Sequence, residues 1–174
     1  MSTRIRTFVG VALAALVAGA CSPSQPTPAS STGPMSTAAT ETRMVTDASG
    51  QEVALPLEPT RVVTLSGPTT DNALALGITP VGAVSGRGQS GVAAYLADRA
   101  DGVPILGSVG TPNLGAVGAA HPDLILVDGT SVKSDDTDTL NALKQIAPVF
   151  YTAHSGDDWR ETFTRTADAL GVTD

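Results

Sequence analysis

The sequence predicts an α/β fold, a single parallel-sheet, Rossmann-like lobe. From residue 43 onward, short runs rich in β-branched residues alternate with amphipathic segments of helical period. Glycine, proline or a helix-capping residue stands between most of these segments. Alternation of strands and helices favours right-handed crossovers between parallel strands, and a sheet of this kind binds ligands at the loops after its strands.

The first predicted elements are a hairpin and a buried strand. The turn-forming pair Ser49-Gly50 separates two short runs within residues 47–56, which is typical of a β-hairpin. Residues 61–66 are a β-branched run and predict a strand that is buried on both faces.

A helix and a second strand come next. The helix is predicted over residues 71–76, with Thr69 or Thr70 as its N-cap and Gly77 at its end. Residues 80–85 predict the second strand of the sheet.

The alternation continues to the end of the chain. Pro112 fits the first turn of a helix over residues 114–120, and the apolar run at 123–128 predicts another buried strand. Trp159 and Phe163, four residues apart, are expected to anchor the last helix in the core. The other segments are a short helix at 92–100, a strand at 103–106, a helix at 138–147, a strand at 149–152 and a helix at 159–170, which Asp157 or Asp158 caps and Gly171 ends.

The N-terminal 42 residues predict an export signal and a tether. Arg4 and Arg6 precede an uncharged run that is too short to span a bilayer core of ~30 Å. Residues 17–21 resemble a bacterial lipobox, so residues 1–20 are expected to be a signal peptide and Cys21 a lipidated mature N-terminus. The alternative is an ordinary secretory signal. Residues 21–42, rich in Ser, Thr and Pro, predict a flexible tether that holds a domain at the extracytoplasmic face of the cell membrane.

Composition excludes several classes of function. The net charge is −7, no Lys/Arg cluster exists and aromatic residues make up 3%, which argues against a nucleic-acid partner. A single cysteine excludes intramolecular disulfides and zinc ribbons, and two histidines exclude a multi-histidine metal site. His154 with Asp157 and Asp158 is a weak alternative metal set, for which an exposed turn is the simpler interpretation.

An ordered set of motifs resembles the iron-siderophore/vitamin B12 class of ABC-importer substrate-binding proteins. The resemblance implies two α/β lobes that are joined by a rigid helix and hold ligand between them. It identifies residues 43–156 as the N-terminal ligand-binding lobe and 157–174 as the start of the inter-lobe helix, with the second lobe absent. The motifs are residues 61–66, Thr70-Asp71, residues 75–82, Pro112-Asn113-Leu114, residues 121–126 and residues 145–148.

The resemblance also implies a ligand and its contacts. A truncated, lipid-anchored solute-binding component that binds a ferric siderophore weakly is expected, with no cofactor and with iron only inside the siderophore. Arg87 is the only cation of the candidate loops and is expected to contact an anionic siderophore. Hydroxamate and corrinoid binders tend to carry an arginine or aromatic residue where this chain has Val109. The candidate ligand-binding residues are Ser66, Gly67, Pro68, Gly86, Arg87, Val109, Thr130 and Ser131.

Three functions stay open at this point. Family members usually have a glutamate that contacts the permease where this chain has Gly115, so a transport-incompetent remnant or interaction module is the alternative to an importer component. An extracellular hydrolase is a weaker alternative because the Gly-x-Ser-x-Gly pattern is absent. We therefore expect no enzymatic activity.

Overall fold

An antiparallel hairpin opens the part of the chain that the computed structural model describes, residues 41–172. Strand β1 (Thr42–Thr46) pairs with β2 (Glu52–Pro56). Asp47 organises the turn, because its Oδ1 accepts hydrogen bonds from Ser49 N at 2.8 Å and from Gln51 N at 3.0 Å. The predicted hairpin and its turn are confirmed, but the first strand lies before residues 47–56 and begins at Thr42, which was predicted to end the tether. The predicted signal peptide, Cys21 and most of the predicted tether lie outside the described residues.

A six-stranded, mostly parallel sheet forms the centre of the fold, in the order β6-β5-β4-β3-β7-β8. The chain starts at β3 in the middle and extends first to one edge and then to the other. All neighbours are parallel except β5 and β6, which form a tight antiparallel pair. The strands are β3 (Val62–Thr64), β4 (Gly82–Ser85), β5 (Ile105–Ser108), β6 (Thr111–Pro112), β7 (Leu124–Val127) and β8 (Val149–Tyr151).

Helices cover both faces of this sheet. Val117 of α2 and Leu143 of α3 belong to one buried cluster, whereas Ala73 of α1 and Ala169 of α4 belong to another. Residues alternate along β7 between these clusters, as the two-residue period of a strand requires. The helices are α1 (Gly67–Ala75), α2 (Leu114–Ala119), α3 (Thr137–Lys144) and α4 (Trp159–Leu170). None of the helices within residues 41–172 is both long and apolar enough to cross a membrane.

Three details differ from the sequence-based predictions. The N-cap of α1 is Ser66, not Thr69 or Thr70, because Ser66 Oγ accepts a hydrogen bond from Thr69 N and Thr69 Oγ1 accepts one from Ser66 N. This capping box starts the helix at Gly67. Pro112 lies in β6, outside α2, whose N-cap is Asn113. A single 3-10 turn, Ala94–Leu96, replaces the predicted helix at 92–100.

The last helix packs within the lobe. Asp158 caps α4, and its final residues, Ala169 and Leu170, are buried with the hairpin residue Leu55. The helix ends at Gly171, which adopts a left-handed conformation (φ 71°). Its role as the start of an inter-lobe connector stays a prediction.

Candidate functional site

A cleft of about 470 Å³ opens at the carboxyl ends of β3, β7 and β8. These three strands are neighbours in the sheet, and β3 and β7 stand where the order of strands along the chain reverses. Ligands of open α/β sheets bind at such a reversal. The cleft volume falls within the range of small-molecule sites.

The floor of the cleft is organised by Asp128, which follows β7 directly and is only 2% exposed. Its Oδ2 accepts a hydrogen bond of 2.6 Å from Ser66 Oγ. Its Oδ1 accepts bonds from Thr130 Oγ1 at 2.6 Å, Thr130 N at 2.9 Å and Ser131 N at 3.2 Å. A buried carboxylate is stable when its oxygens are satisfied in this way. Asp128 therefore fixes the loop after β7 against the start of α1.

Ser66 is a structural hydroxyl in this arrangement. It is fully buried, and its Oγ contacts Asp128 Oδ2 and Thr69 Oγ1. The ring of His154, the histidine of the cleft, is directed elsewhere: its Nε2 lies 3.0 Å from the carbonyl oxygen of Ala48. Nucleophilic catalysis requires a base in contact with the hydroxyl, so these contacts do not favour the hydrolase alternative.

The loop after β8 forms one wall of the cleft. Asp157 Oδ2 accepts a hydrogen bond of 2.9 Å from His154 N, which closes this loop on itself. Asp158 Oδ1 accepts one of 2.8 Å from Arg160 N as the cap of α4. The three residues of the weak metal hypothesis thus have local partners, and no group of metal ligands is found among residues 41–172.

Two exposed aromatic side chains flank the opening. Trp159, at the start of α4, is 66% exposed, so the prediction that it anchors the core is wrong. The Arg160 guanidinium stacks over the Trp159 ring in a cation–π contact, 4.5 Å from the ring centroid. Tyr95, from the 3-10 turn, is 71% exposed and donates a 3.0 Å hydrogen bond to Asp71 Oδ2. Desolvation, with the hydrogen bond to Asp71, raises the pKa of Tyr95.

The charged residues of the lining are acidic. Asp71, Asp128 and Asp157 line the cleft, and none of its described lining residues is Lys or Arg. Arg87 is exposed and is not a lining residue, although its Nη2 donates a 3.2 Å hydrogen bond to the carbonyl oxygen of Thr130, which is one. This lining does not support the expectation of an anionic ligand held mainly by Arg87.

The predicted site residues fall into two groups. Gly67, Pro68 and Thr130 line the cleft, and Ser66 and Ser131 support it from below through Asp128. Gly86, Arg87 and Val109 are not in the lining: Gly86 N donates to Gly91 O, and Val109 packs against the core cluster beside α2 and α3.

Sequence reasoning missed Asp71, Tyr95, Asp128 and Trp159. The sequence could have indicated Asp128, because this residue directly follows a buried strand and such positions often contact ligand. Ser66, which was predicted, follows its own buried strand by two residues. No comparable signal existed for Tyr95, whose loop reaches the cleft by a turn that the sequence does not specify.

Sequence comparison relates the chain to siderophore-binding proteins. YfiY, a probable siderophore-binding lipoprotein of Bacillus subtilis, is 33% identical over 163 residues, which are 93% of this chain and 47% of that protein. The achromobactin-binding periplasmic protein of Dickeya dadantii is 37% identical over 91 residues, 52% of this chain and 28% of that protein. The chain thus spans about half the length, or less, of the curated relatives it matches. No protein-family model matches it.

Solved structures share the same lobe. Staphylococcus aureus SirA in complex with staphyloferrin B superposes with a TM-score of 0.63 at 28% identity, over 75% of this chain and 42% of that one. PiaA, an iron uptake ABC transporter substrate-binding protein of Streptococcus pneumoniae, gives 0.55 at 28% identity, over 75% of this chain and 45% of that one. These matches confirm the predicted α/β lobe.

Proposed function

We propose that this chain, a homologue over one lobe of the substrate-binding proteins of siderophore ABC importers, binds a ferric siderophore in the cleft beside β3, β7 and β8. The observation that carries the proposal is the position of this cleft, at the strand-order reversal of a lobe shared with relatives named as siderophore-binding. The named relatives are binding proteins, which fits a non-enzymatic role.

The cleft suits a bulky chelate that is held from one side. Trp159 and Tyr95 offer apolar faces at the opening. Thr130 also lines the cleft, and because its N–H and hydroxyl proton are donated to Asp128, its hydroxyl oxygen is left as an acceptor. Because the described walls enclose a ligand only partly, we expect weak binding, with a Kd of about 40 μM to about 0.5 mM.

Iron is proposed to enter only inside its chelator. Ferric iron prefers oxygen ligands, and the siderophore itself supplies them. Metal analysis of the purified chain after dialysis against a weak chelator should read near background. A stoichiometric bound metal would contradict this proposal and revive His154 with Asp157 and Asp158.

Intrinsic fluorescence gives a direct test, because Trp159 is the only tryptophan of the chain and lines the cleft. Titration of the full chain with a panel of coloured ferric siderophores should give saturable quenching, with a weaker response to the iron-free forms. Trp159→Phe removes the fluorescence signal, so binding to this variant is measured by calorimetry as the matched control. Absence of saturable binding for the whole panel would overturn the proposed function.

Transport is tested separately from binding. We expect the chain to bind siderophore and fail to support uptake unaided, since Gly115 stands where the resemblance places a permease-contacting glutamate. Radio-iron uptake in a strain that lacks other binding proteins measures this. Uptake with the chain alone would contradict the expectation, whereas binding without uptake favours the remnant or interaction-module alternative.

The proposed location is the extracytoplasmic face of the cell membrane, with a lipid anchor at Cys21. The support is the lipobox-like sequence and the naming of the relative YfiY as a lipoprotein.

A further inference from the structure

We infer that the cleft selects ferric chelates whose net charge is zero or positive and discriminates against polyanionic chelates. This inference rests on the proposed function, because it assigns a charge class to the ligand of the same cleft. Three observations lead to it: the charges of the lining, the bonding of the nearby arginines, and the two aromatic faces.

The lining contributes negative charge at three points. Asp128 lies at the floor, Asp157 in the wall after β8, and Asp71 on α1, where it accepts a hydrogen bond from the Tyr95 hydroxyl. A cleft lined by charges of one sign focuses their field, so it attracts ligands of the opposite sign and repels those of the same sign. The net charge of −7 on the whole chain acts in the same direction.

The nearby arginines only partly offset these carboxylates. Arg165 Nη1 lies 3.8 Å from Asp157 Oδ2 and donates a 2.7 Å hydrogen bond to Thr152 O. Arg160 Nη1 lies 3.8 Å from Asp158 Oδ2, so its charge is shared with a fourth carboxylate. Arg87 is not a lining residue, but its Nη2 donates a hydrogen bond to the carbonyl oxygen of Thr130, which is one, so it stands beside the cleft. Four carboxylates therefore stand against three guanidiniums, and the surroundings of the cleft stay negative.

The aromatic residues favour the same ligand class. The faces of aromatic rings carry partial negative charge, so they attract cations and apolar groups more than anions. One face of Trp159 is already covered by the Arg160 guanidinium, so the Tyr95 ring and the other face of Trp159 are the surfaces in question. Chelate chemistry separates the ligands by charge: three hydroxamates neutralise a ferric ion, whereas three catecholates leave a strongly anionic complex. A neutral tris-hydroxamate core with a protonated amine arm is cationic and matches the cleft in both charge and apolar surface. Val109, where hydroxamate binders tend to carry an arginine or aromatic residue, lies outside the lining of this cleft.

The test compares three ferric chelates of different charge on the full chain, purified in detergent because of its expected lipid anchor. The probes are cationic ferrioxamine B, neutral ferrichrome and anionic ferric enterobactin. We expect the first two to bind at least about tenfold more tightly than the third, and added salt to weaken the binding of the cationic probe most.

Variants that remove one carboxylate charge test whether the charge preference arises in the cleft. Asp71→Asn and Asp157→Asn keep an acceptor oxygen and should reduce the preference for ferrioxamine B severalfold. Asp98→Asn is the matched control, since it changes the net charge equally at an exposed position outside the lining and should leave the preference unchanged.

The outcomes are separable. If ferric enterobactin binds as tightly as ferrioxamine B, the inference is wrong and the proposed function stands. If Asp98→Asn shifts the preference as much as Asp71→Asn, the effect comes from net charge and the assignment to the cleft is wrong. If no chelate binds, the proposed function itself fails.

Discussion

At the scale of single residues, Ser66 links the cap of a helix to the floor of the cleft. Its hydroxyl accepts the Thr69 N–H and donates to the buried Asp128. Loss of an N-cap and of a donor to a buried carboxylate each destabilise a protein. One side chain thus supports both α1 and the loop after β7.

Replacement of Ser66 tests this double role. Ser66→Ala should lower the free energy of unfolding by about 1–3 kcal/mol, because α1 loses its cap and Asp128 loses one donor. Urea unfolding measures the change, and Ser90→Ala in an exposed loop is the control with an expected effect near zero. Equal stability of the two variants would show that Ser66 does not have this role.

Ionisation of the Tyr151 hydroxyl is expected to lower the free energy of unfolding at alkaline pH. Burial raises the pKa of this 4% exposed tyrosine above its ordinary value of 10.0, and the negative charge of Asp128 raises it further. A raised folded pKa favours the protonated form, so the contribution to stability is complete below about pH 10 and is lost as pH rises through the raised pKa.

The free energy of unfolding should therefore fall as pH increases above 10, and Tyr151→Phe should show a smaller fall. The variant is also expected to be less stable at neutral pH, because it lacks the 3.1 Å hydrogen bond from Tyr151 Oη to Val132 O. Denaturant unfolding at several pH values measures both effects. Tyr95→Phe, at an exposed position, should change the slope less; an equal or larger change would contradict the assignment.

At the scale of elements, the end of α4 is held against the hairpin. Arg43 Nη2 donates a 3.0 Å hydrogen bond to Ala169 O in the last turn of the helix. Gly171 follows in a left-handed conformation, and a Cβ at this position would lie 2.5 Å from Leu57 O. Both contacts join β1 and the segment after β2 to the C-terminal end of α4.

Two glycine substitutions should therefore have opposite effects. Gly171→Ala should destabilise the chain by about 1–3 kcal/mol, through the left-handed backbone and the contact with Leu57 O. Gly118→Ala, within α2 and with no atom within 4 Å of the new Cβ, should stabilise it by about 0.5–1 kcal/mol. Thermal unfolding of both variants checks the signs, and a stabilising Gly171→Ala would disprove this account of the α4 end.

At the scale of the whole molecule, the lobe is expected to be held at a membrane by its N-terminus. Cys21 should carry diacylglycerol after cleavage between Ala20 and Cys21, and Cys21→Ser should release the protein from the membrane fraction. Intact-mass analysis detects the lipid adduct. An unmodified Cys21 thiol in the mature protein would support the ordinary secretory signal instead.

The sequence alone determined the alternation of strands and helices. Hydrophobic period and turn residues are local properties, so β3, β7, β8 and α4 appear within a residue or two of their predicted bounds. The loops after β3 and β7 were also identified correctly as parts of one edge, because parallel strands place their carboxyl ends together. The ordered motifs were sufficient to indicate the family resemblance that the comparisons confirm.

The tertiary structure decided which side chains form the cleft. Ser66 and Asp128 are 62 positions apart, and their hydrogen bond depends on β3 pairing with β7, which no local pattern encodes. Trp159 fits a buried helix face by its period, yet the first residues of α4, 159–161, are exposed and Trp159 borders the cleft. Arg87 and Tyr95 both follow β4, yet only Tyr95 lines the cleft, whereas Arg87 bonds the Thr130 carbonyl beside it. Strand order is a property of long-range pairing, and it brings the loops after β3, β7 and β8, with Asp128 and Asp157, to one cleft.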